Sequence, residues 1–205
     1  MLLAMRNVPV FVKHSTLAPL ARLAAVASMA VLFASSSGAA EVAGVKLDDK
    51  ASLGGQELSL NGAGMRTRLM FKVYVASLYL PRRASDVPAV LAQSPRRIQL
   101  NMLRSVSADQ LVDAFSEGLE ANTSAGDLAA VKSQTDQLLA LMRSFKEVRD
   151  KDVIALDFVD GATHIVWNGD TKGTIPGAAF NQALMRIWLG EKPAQADLKQ
   201  ALLGG

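Results

Sequence analysis

The chain has no cysteine among its 205 residues. That excludes disulfides, thiolate metal sites, iron–sulfur clusters and cysteine nucleophiles, so packing alone has to hold the fold together. Histidine is nearly as scarce, with His14 near the N-terminus and His164 far downstream. Beyond the N-terminal segment this rules out a two-histidine metal site and argues against a histidine-dependent triad. Acidic residues are missing altogether before Glu41, while Arg6, Lys13 and Arg22 supply positive charge there.

That lopsided start is followed by an uncharged apolar run from Leu23 to Phe33. Its length suits the hydrophobic region of a signal peptide and is too short to cross a bilayer comfortably. Small residues continue from Ala34 to Ala40, and cleavage after Ala40 places Gly38 and Ala40 at the two positions a signal peptidase reads. Cleavage after Ala39 fits almost as well. The sequence therefore predicts a cleaved signal peptide over residues 1–40, export to the periplasm or beyond the cell, and no stable membrane anchor afterwards. The chain carries 22 Lys plus Arg against 19 Asp plus Glu, and the excess consists of Arg6, Lys13 and Arg22. The remainder is neutral by count, so the basic pI gives no reason to expect a nucleic-acid partner.

Residues 41–205, about 165 in number, suffice for one well-filled core and are short for two. Glycines at 44, 54, 55, 62 and 64 suggest short strands joined by tight turns. Residues 66–80 are rich in β-branched and aromatic types and read as one central strand, stopped by Pro81. A short helix over 85–92 precedes a strand over 97–103, with Ile98, Leu100 and Met102 on one side. Ser107 and Gln110 form a capping box that opens a helix to about Asn122. Leu128, Val131, Thr135, Leu138, Met142 and Phe145 then make an apolar stripe on a single helix, read as core packing. Two strands, 153–159 and 163–167, are joined by the hairpin signal Asp160-Gly161, and residues 168–173 make a second turn into Thr174-Ile-Pro176. A helix over 178–189, closed by Gly190, and a last amphipathic segment at 197–203 complete the chain. This order implies an α+β fold, an antiparallel sheet with helices gathered on one face and room for a cleft between the layers.

Arg66 is the first candidate for function. It ends the Gly62-Ala-Gly64-Met-Arg66 segment and could present a planar fork to a carboxylate or an enolate; the plainer reading is a surface or ion-paired arginine. Tyr74 and Tyr79 fall on opposite faces of their strand, with Tyr74 on the face of Arg66. His164 lacks an evident acidic or nucleophilic partner nearby in sequence and reads as a structural or solvent-facing histidine. Asp150, Asp152, Asp157 and Asp160 lack calcium-loop spacing and read as solvated strand-end and turn residues. No P-loop or dinucleotide fingerprint is present, and no cofactor is implied.

Two segments, Gly62-Ala-Gly-Met-Arg66 and Phe71-Lys-Val-Tyr-Val-Ala-Ser-Leu-Tyr-Leu80, resemble the opening strands of the chalcone isomerase superfamily. Val153 to Phe158, Gly173-Thr-Ile-Pro176 and Ile187-Trp-Leu-Gly190 are similar to the C-terminal half of its bacterial chalcone-isomerase-like group, in the same order. The resemblance spans Glu41 to the end. It implies an open-faced sandwich, a large antiparallel sheet with helices layered on one face. Some members cyclise chalcones to flavanones, whereas others are non-catalytic and hold fatty acids.

In the enzymes an arginine ends the glycine motif and stabilises an enolate, and Arg66 matches it. Their strand threonine falls at Tyr74 here, and their helical tyrosine and asparagine fall at Leu111 and Gly118, so those hydrogen-bonding groups are lost. The resemblance thus implies a more apolar, roomier cleft, with Arg66, Tyr74, Leu111 and Gly118 around the ligand and Arg104 as a second cation. Three readings follow: a non-catalytic binder of an apolar small molecule such as a fatty acid, an intramolecular lyase acting on a small enone through Arg66, or a ligand-free interaction module. The oligomeric state is not legible in the sequence.

Overall fold

A computed structural model describes residues 40–205; the expected leader and its cleavage site lie in the segment outside the described residues, save Ala40. The chain begins with a two-stranded ribbon, β1 (Ala40–Val42) and β2 (Val45–Leu47). Seven strands then build one antiparallel sheet: β3 (Lys50–Leu53), β4 (Gln56–Arg68), β5 (Phe71–Leu80), β6 (Arg96–Met102), β9 (Val153–Val159), β10 (Ala162–Trp167) and β11 (Asp170–Pro176). Their spatial order is β11-β10-β9-β6-β5-β4-β3. A minor ribbon pairs β7 (Val106–Ser107) with β8 (Glu147–Val148). The helices are α1 (Val87–Leu91), α2 (Ala108–Asn122), α3 (Ala125–Ala130), α4 (Lys132–Ser144), α5 (Ala178–Leu189) and α6 (Ala196–Leu202). This is the α+β architecture expected, a large antiparallel sheet carrying helices. Among the described residues no helix is long and apolar enough to cross a membrane.

Strand alternation sets the core. Ala76, Leu78 and Leu80 of β5, Ile98, Leu100 and Met102 of β6, and Ile154, Leu156 and Phe158 of β9 join one apolar cluster. Phe115 and Leu119 of α2, Leu138 and Met142 of α4, and much of α5 close over it. The capping box at the head of α2 is made, with the Ser107 hydroxyl accepting from the Gln110 backbone N–H and the Gln110 side chain accepting from Ser107 N–H, each at 3.2 Å. Asp160 and Gly161 both take positive φ, as a tight hairpin between right-twisted strands requires.

Five expectations are corrected. First, residues 66–80 are not one strand: β4 runs to Arg68, the chain reverses at Leu69 and Met70, and β5 starts at Phe71. Second, Gly62 and Gly64 lie inside β4 and form no turn. A Cβ at Gly62 would sit 2.0 Å from the Ala201 carbonyl oxygen, and one at Gly64 2.8 Å from the Ala201 methyl, so these glycines let α6 lie against the strand backbone. Register shifts between Leu60 and Gly62 and between Arg66 and Thr67 re-aim the strand. The first turns Asn61 inward, where its amide nitrogen donates to the carbonyls of Ala84 (2.9 Å) and Leu202 (2.8 Å).

Third, the stripe from Leu128 to Phe145 is carried by two helices that break at Val131, whose φ of −106° and ψ of 12° leave the helical region. The stripe still faces inward. Fourth, Asp157 is buried rather than solvated. Arg97 on the neighbouring strand grips it with two hydrogen bonds, Nε to Oδ1 at 2.5 Å and Nη2 to Oδ2 at 2.6 Å. The second turn is also shorter than expected, because β11 already begins at Asp170.

Candidate functional site

A cleft of about 690 Å³ opens between the Phe71 end of the sheet and helices α2 and α5. Arg66, Tyr74, Leu111, Gly118 and Arg104 all line it, so the fold gathers every sequence-selected site residue in one place. Arg66 and Tyr74 share a face, but not along one strand. They are directly opposed across the β4–β5 hairpin, which points both side chains the same way.

The Arg66 guanidinium is partly buried and held by neutral groups. Its Nη1 donates to the backbone oxygen of Thr67 and, at 3.3 Å, to the side-chain oxygen of Gln195. Gln195 also accepts from Thr67 N–H at 2.9 Å, and its own amide donates to the Met65 carbonyl at 3.3 Å. The segment just before α6 therefore pins the strand end that carries Arg66. None of the partners of Arg66 among the described residues is a carboxylate. The cleft wall is apolar at Met102, Leu111, Phe115, Ile187 and Trp188 and charged at Arg68, Arg104, Asp113, Glu117 and Lys192. A partly buried cation with no carboxylate bonded to it, facing such a cleft, is poised for an anionic group.

Tyr74 stands beside it. Trp188 of α5, itself fully buried, donates its indole N–H to the Tyr74 hydroxyl at 3.1 Å and meets Phe115 of α2 edge-on, with centroids 5.7 Å apart. Burial pushes the Tyr74 phenol above its ordinary value of 10.0, against the opposing pulls of the Trp188 hydrogen bond and the Arg66 charge. Burial likewise raises Tyr79 on the other face of the sheet. These are the only tyrosines in the sequence.

An alkaline titration followed by phenolate absorbance should thus show the phenols of the folded protein ionising above the ordinary tyrosine value, and both releasing their protons at that value in denaturant. In the unfolded chain the protons leave first. Stability from these groups is therefore complete below pH 10 and is lost as pH rises towards the higher folded values. Ordinary titration of both tyrosines in the folded protein would contradict their burial.

Leu111 is buried in the wall of the cleft, as its apolar side chain suggests. Gly118 does not add room in the way expected. A Cβ there would come within 2.8 Å of Ile187 Cγ2, so the space a side chain would need is occupied by the close approach of α5. Arg104 is exposed, and its guanidinium lies 4.6 Å from the centre of the Phe71 ring at the mouth. His164 stays on the outer face, sharing a 3.1 Å hydrogen bond with Thr174. Sequence reasoning missed Trp188 and Gln195, which come from the C-terminal segments and meet β4 and β5 only in three dimensions.

A large antiparallel seven-stranded sheet with helices packed on it is the architecture of the chalcone isomerase fold. The chain is a member of the chalcone isomerase-like family, whose sequence profile matches residues 39–204. Among solved structures it is similar to a fatty-acid binding protein of Arabidopsis thaliana, with a TM-score of 0.59 over 78% of this chain and 92% of that one, at 13% identity. At that identity the likeness speaks for the fold alone. No curated protein matches the chain.

Proposed function

We propose that the chain is an exported, non-catalytic member of the bacterial branch of this family that binds an apolar small molecule, a fatty acid, in the interlayer cleft. The observation that carries this reading is Arg66, a permanent cation without a carboxylate partner among the described residues, at one side of a space walled by Leu111, Phe115, Met102, Ile187 and Trp188. A cleft of about 690 Å³ falls within the roughly 300–1,000 Å³ of ordinary small-molecule sites. The carboxylate would accept from the free edge of the guanidinium beside Tyr74, with the alkyl chain lying along the apolar wall. The fatty-acid binding protein among the structural relatives supports the choice of ligand.

Titration with palmitate, read by displacement of a fluorescent fatty-acid analogue, tests the proposal. Arg66→Ala should weaken binding by roughly 10- to 100-fold, the worth of one charge-assisted hydrogen bond. Unchanged affinity in that variant, or no binding by the parent, would remove the reading. An intramolecular lyase is the second reading, favoured by the pairing of Arg66 with the Tyr74 hydroxyl around a developing enolate. Arg66-dependent conversion of a chalcone well above its spontaneous rate would establish it.

A further inference from the structure

The reversal between β4 and β5 is unlike any other turn in the fold. Leu69 is 91% exposed, Met70 93% and Phe71 57%, and these are the exposed large hydrophobics among the described residues. Turns ordinarily carry small or polar residues, and Leu69 even takes a φ of +56°, a conformation that leucine rarely adopts. Scattered exposed apolar residues need no explanation, but here all three are consecutive and stand on one projecting tip.

The charge around the tip has one sign. Arg66, Arg68 and Lys72 flank it on the hairpin, and Arg104 stacks on Phe71. No acidic residue occurs from Leu58 to Ser85, the whole of the hairpin beyond Glu57. Two carboxylates do line the same cleft, Asp113 and Glu117, and both belong to α2 rather than to the hairpin. The tip is also the lip of the cleft, since Arg68, Leu69, Phe71 and Arg104 line it.

We propose that the Leu69–Phe71 tip docks on an anionic lipid bilayer, burying its apolar side chains at the headgroup boundary while Arg68, Lys72 and Arg104 meet the acidic headgroups. Apolar insertion backed by cations is the pairing that holds peripheral proteins on such surfaces. In this position the mouth of the cleft faces the membrane, and an acyl chain can pass between bilayer and cleft without crossing water. The purpose assigned to the docking rests on the acyl-chain reading above; the docking itself does not.

Because the sequence lacks cysteine, Met70→Cys in the full chain gives a single attachment point for an environment-sensitive dye. Gln56→Cys, at the far end of β4, gives the control. With vesicles of phosphatidylglycerol and phosphatidylethanolamine the dye at 70 should shift to the blue and brighten, the dye at 56 should not, and high salt should reverse the change. In unlabelled protein, the combined variant Leu69→Ser, Met70→Ser and Phe71→Ser should bind the same vesicles roughly tenfold less tightly, or weaker still. The apolar stretch 23–33 is common to every variant, so binding carried by it alone would move neither dye and would overturn the proposal. An equal response to neutral phosphatidylcholine vesicles would overturn it too. So would a shift that grows with protein concentration in the absence of lipid, which marks self-association. No fatty acid enters this experiment, so a chain that ignores palmitate yet moves the dye keeps the docking and loses only the ligand.

Discussion

Trp188→Ala is expected to lower unfolding stability by about 4 kcal/mol, the cost of deleting a fully buried indole and leaving its cavity. For a domain of this size that is a fall of roughly 8–16 °C in Tm. The loss is concentrated where it matters for the cleft, because Trp188 joins three elements: α5 by sequence, α2 through Phe115, and β5 through the Tyr74 hydroxyl. Trp188→Phe separates the parts. It retains most of the packing but removes the N–H, so it should cost only about 1–2 kcal/mol. In that variant the Tyr74 phenol should titrate higher still, since the lost hydrogen bond was one of the influences holding it down. Thermal unfolding together with the phenolate titration measures both effects. A Trp188→Ala protein as stable as its parent would mean that α5 is not packed against the sheet as described.

Gly62→Ala is expected to cost as much through a single methyl group. The added carbon would meet the backbone oxygens of Ala201 and Leu202 at 2.0 and 2.9 Å, atoms that cannot swing aside as a side chain can. Helix α6 would have to lift, breaking the Asn61 to Leu202 hydrogen bond and uncovering Leu198 and Leu202. Overpacking of about 3 kcal/mol plus a lost hydrogen bond of about 1 kcal/mol gives a total near 4 kcal/mol. The counterpart is Gly126→Ala on α3, where a Cβ meets nothing within 4 Å and the backbone is already helical. That change should stabilise the protein by about 0.5–1 kcal/mol. If chemical denaturation found Gly62→Ala as stable as its parent, the packing of α6 on β4 would be wrong.

These two glycines show why the sequence is only partly legible. Glycine serves open helix surface at 126 and backbone contact at 62, and no local pattern tells the two apart. The reading of Gly62 and Gly64 as a turn failed for that reason. The true turn passed unseen because Leu69 and Met70 carry no turn chemistry and extend the strand-like run on either side. The break at Val131 was hidden in the same way, with neither glycine nor proline to mark it. What was legible rests on local rules: alternation in β6 and β9, the capping box of α2, the Asp160-Gly161 hairpin and the apolar stripe before Phe145.

The site divides along the same line. Arg66, Tyr74, Leu111, Gly118 and Arg104 could be selected because motif order aligns them with a family, and the fold does bring them to one cleft. Gln195 and Trp188, which fix Arg66 and Tyr74, lie more than a hundred residues away along the chain and leave no local trace. Asp157 is the converse case. It looked like one more solvated acid, and only the β6–β9 pairing supplies the arginine that justifies its burial.

That pairing bears on how the molecule assembles. From β3 to β6, and again from β9 to β11, each strand lies beside its neighbour in sequence, so each block can zip up from nearby segments. The seam between β6 and β9 is different, because all of residues 103–152 must be looped out before Arg97 can find Asp157. Contacts so distant along the chain are slow to nucleate, although the entropy of closing the loop grows only with the logarithm of its length. On separation along the chain alone, joining the two half-sheets is expected to be the slow step of refolding, and the α2–α4 excursion that closes with it brings one wall of the cleft into place.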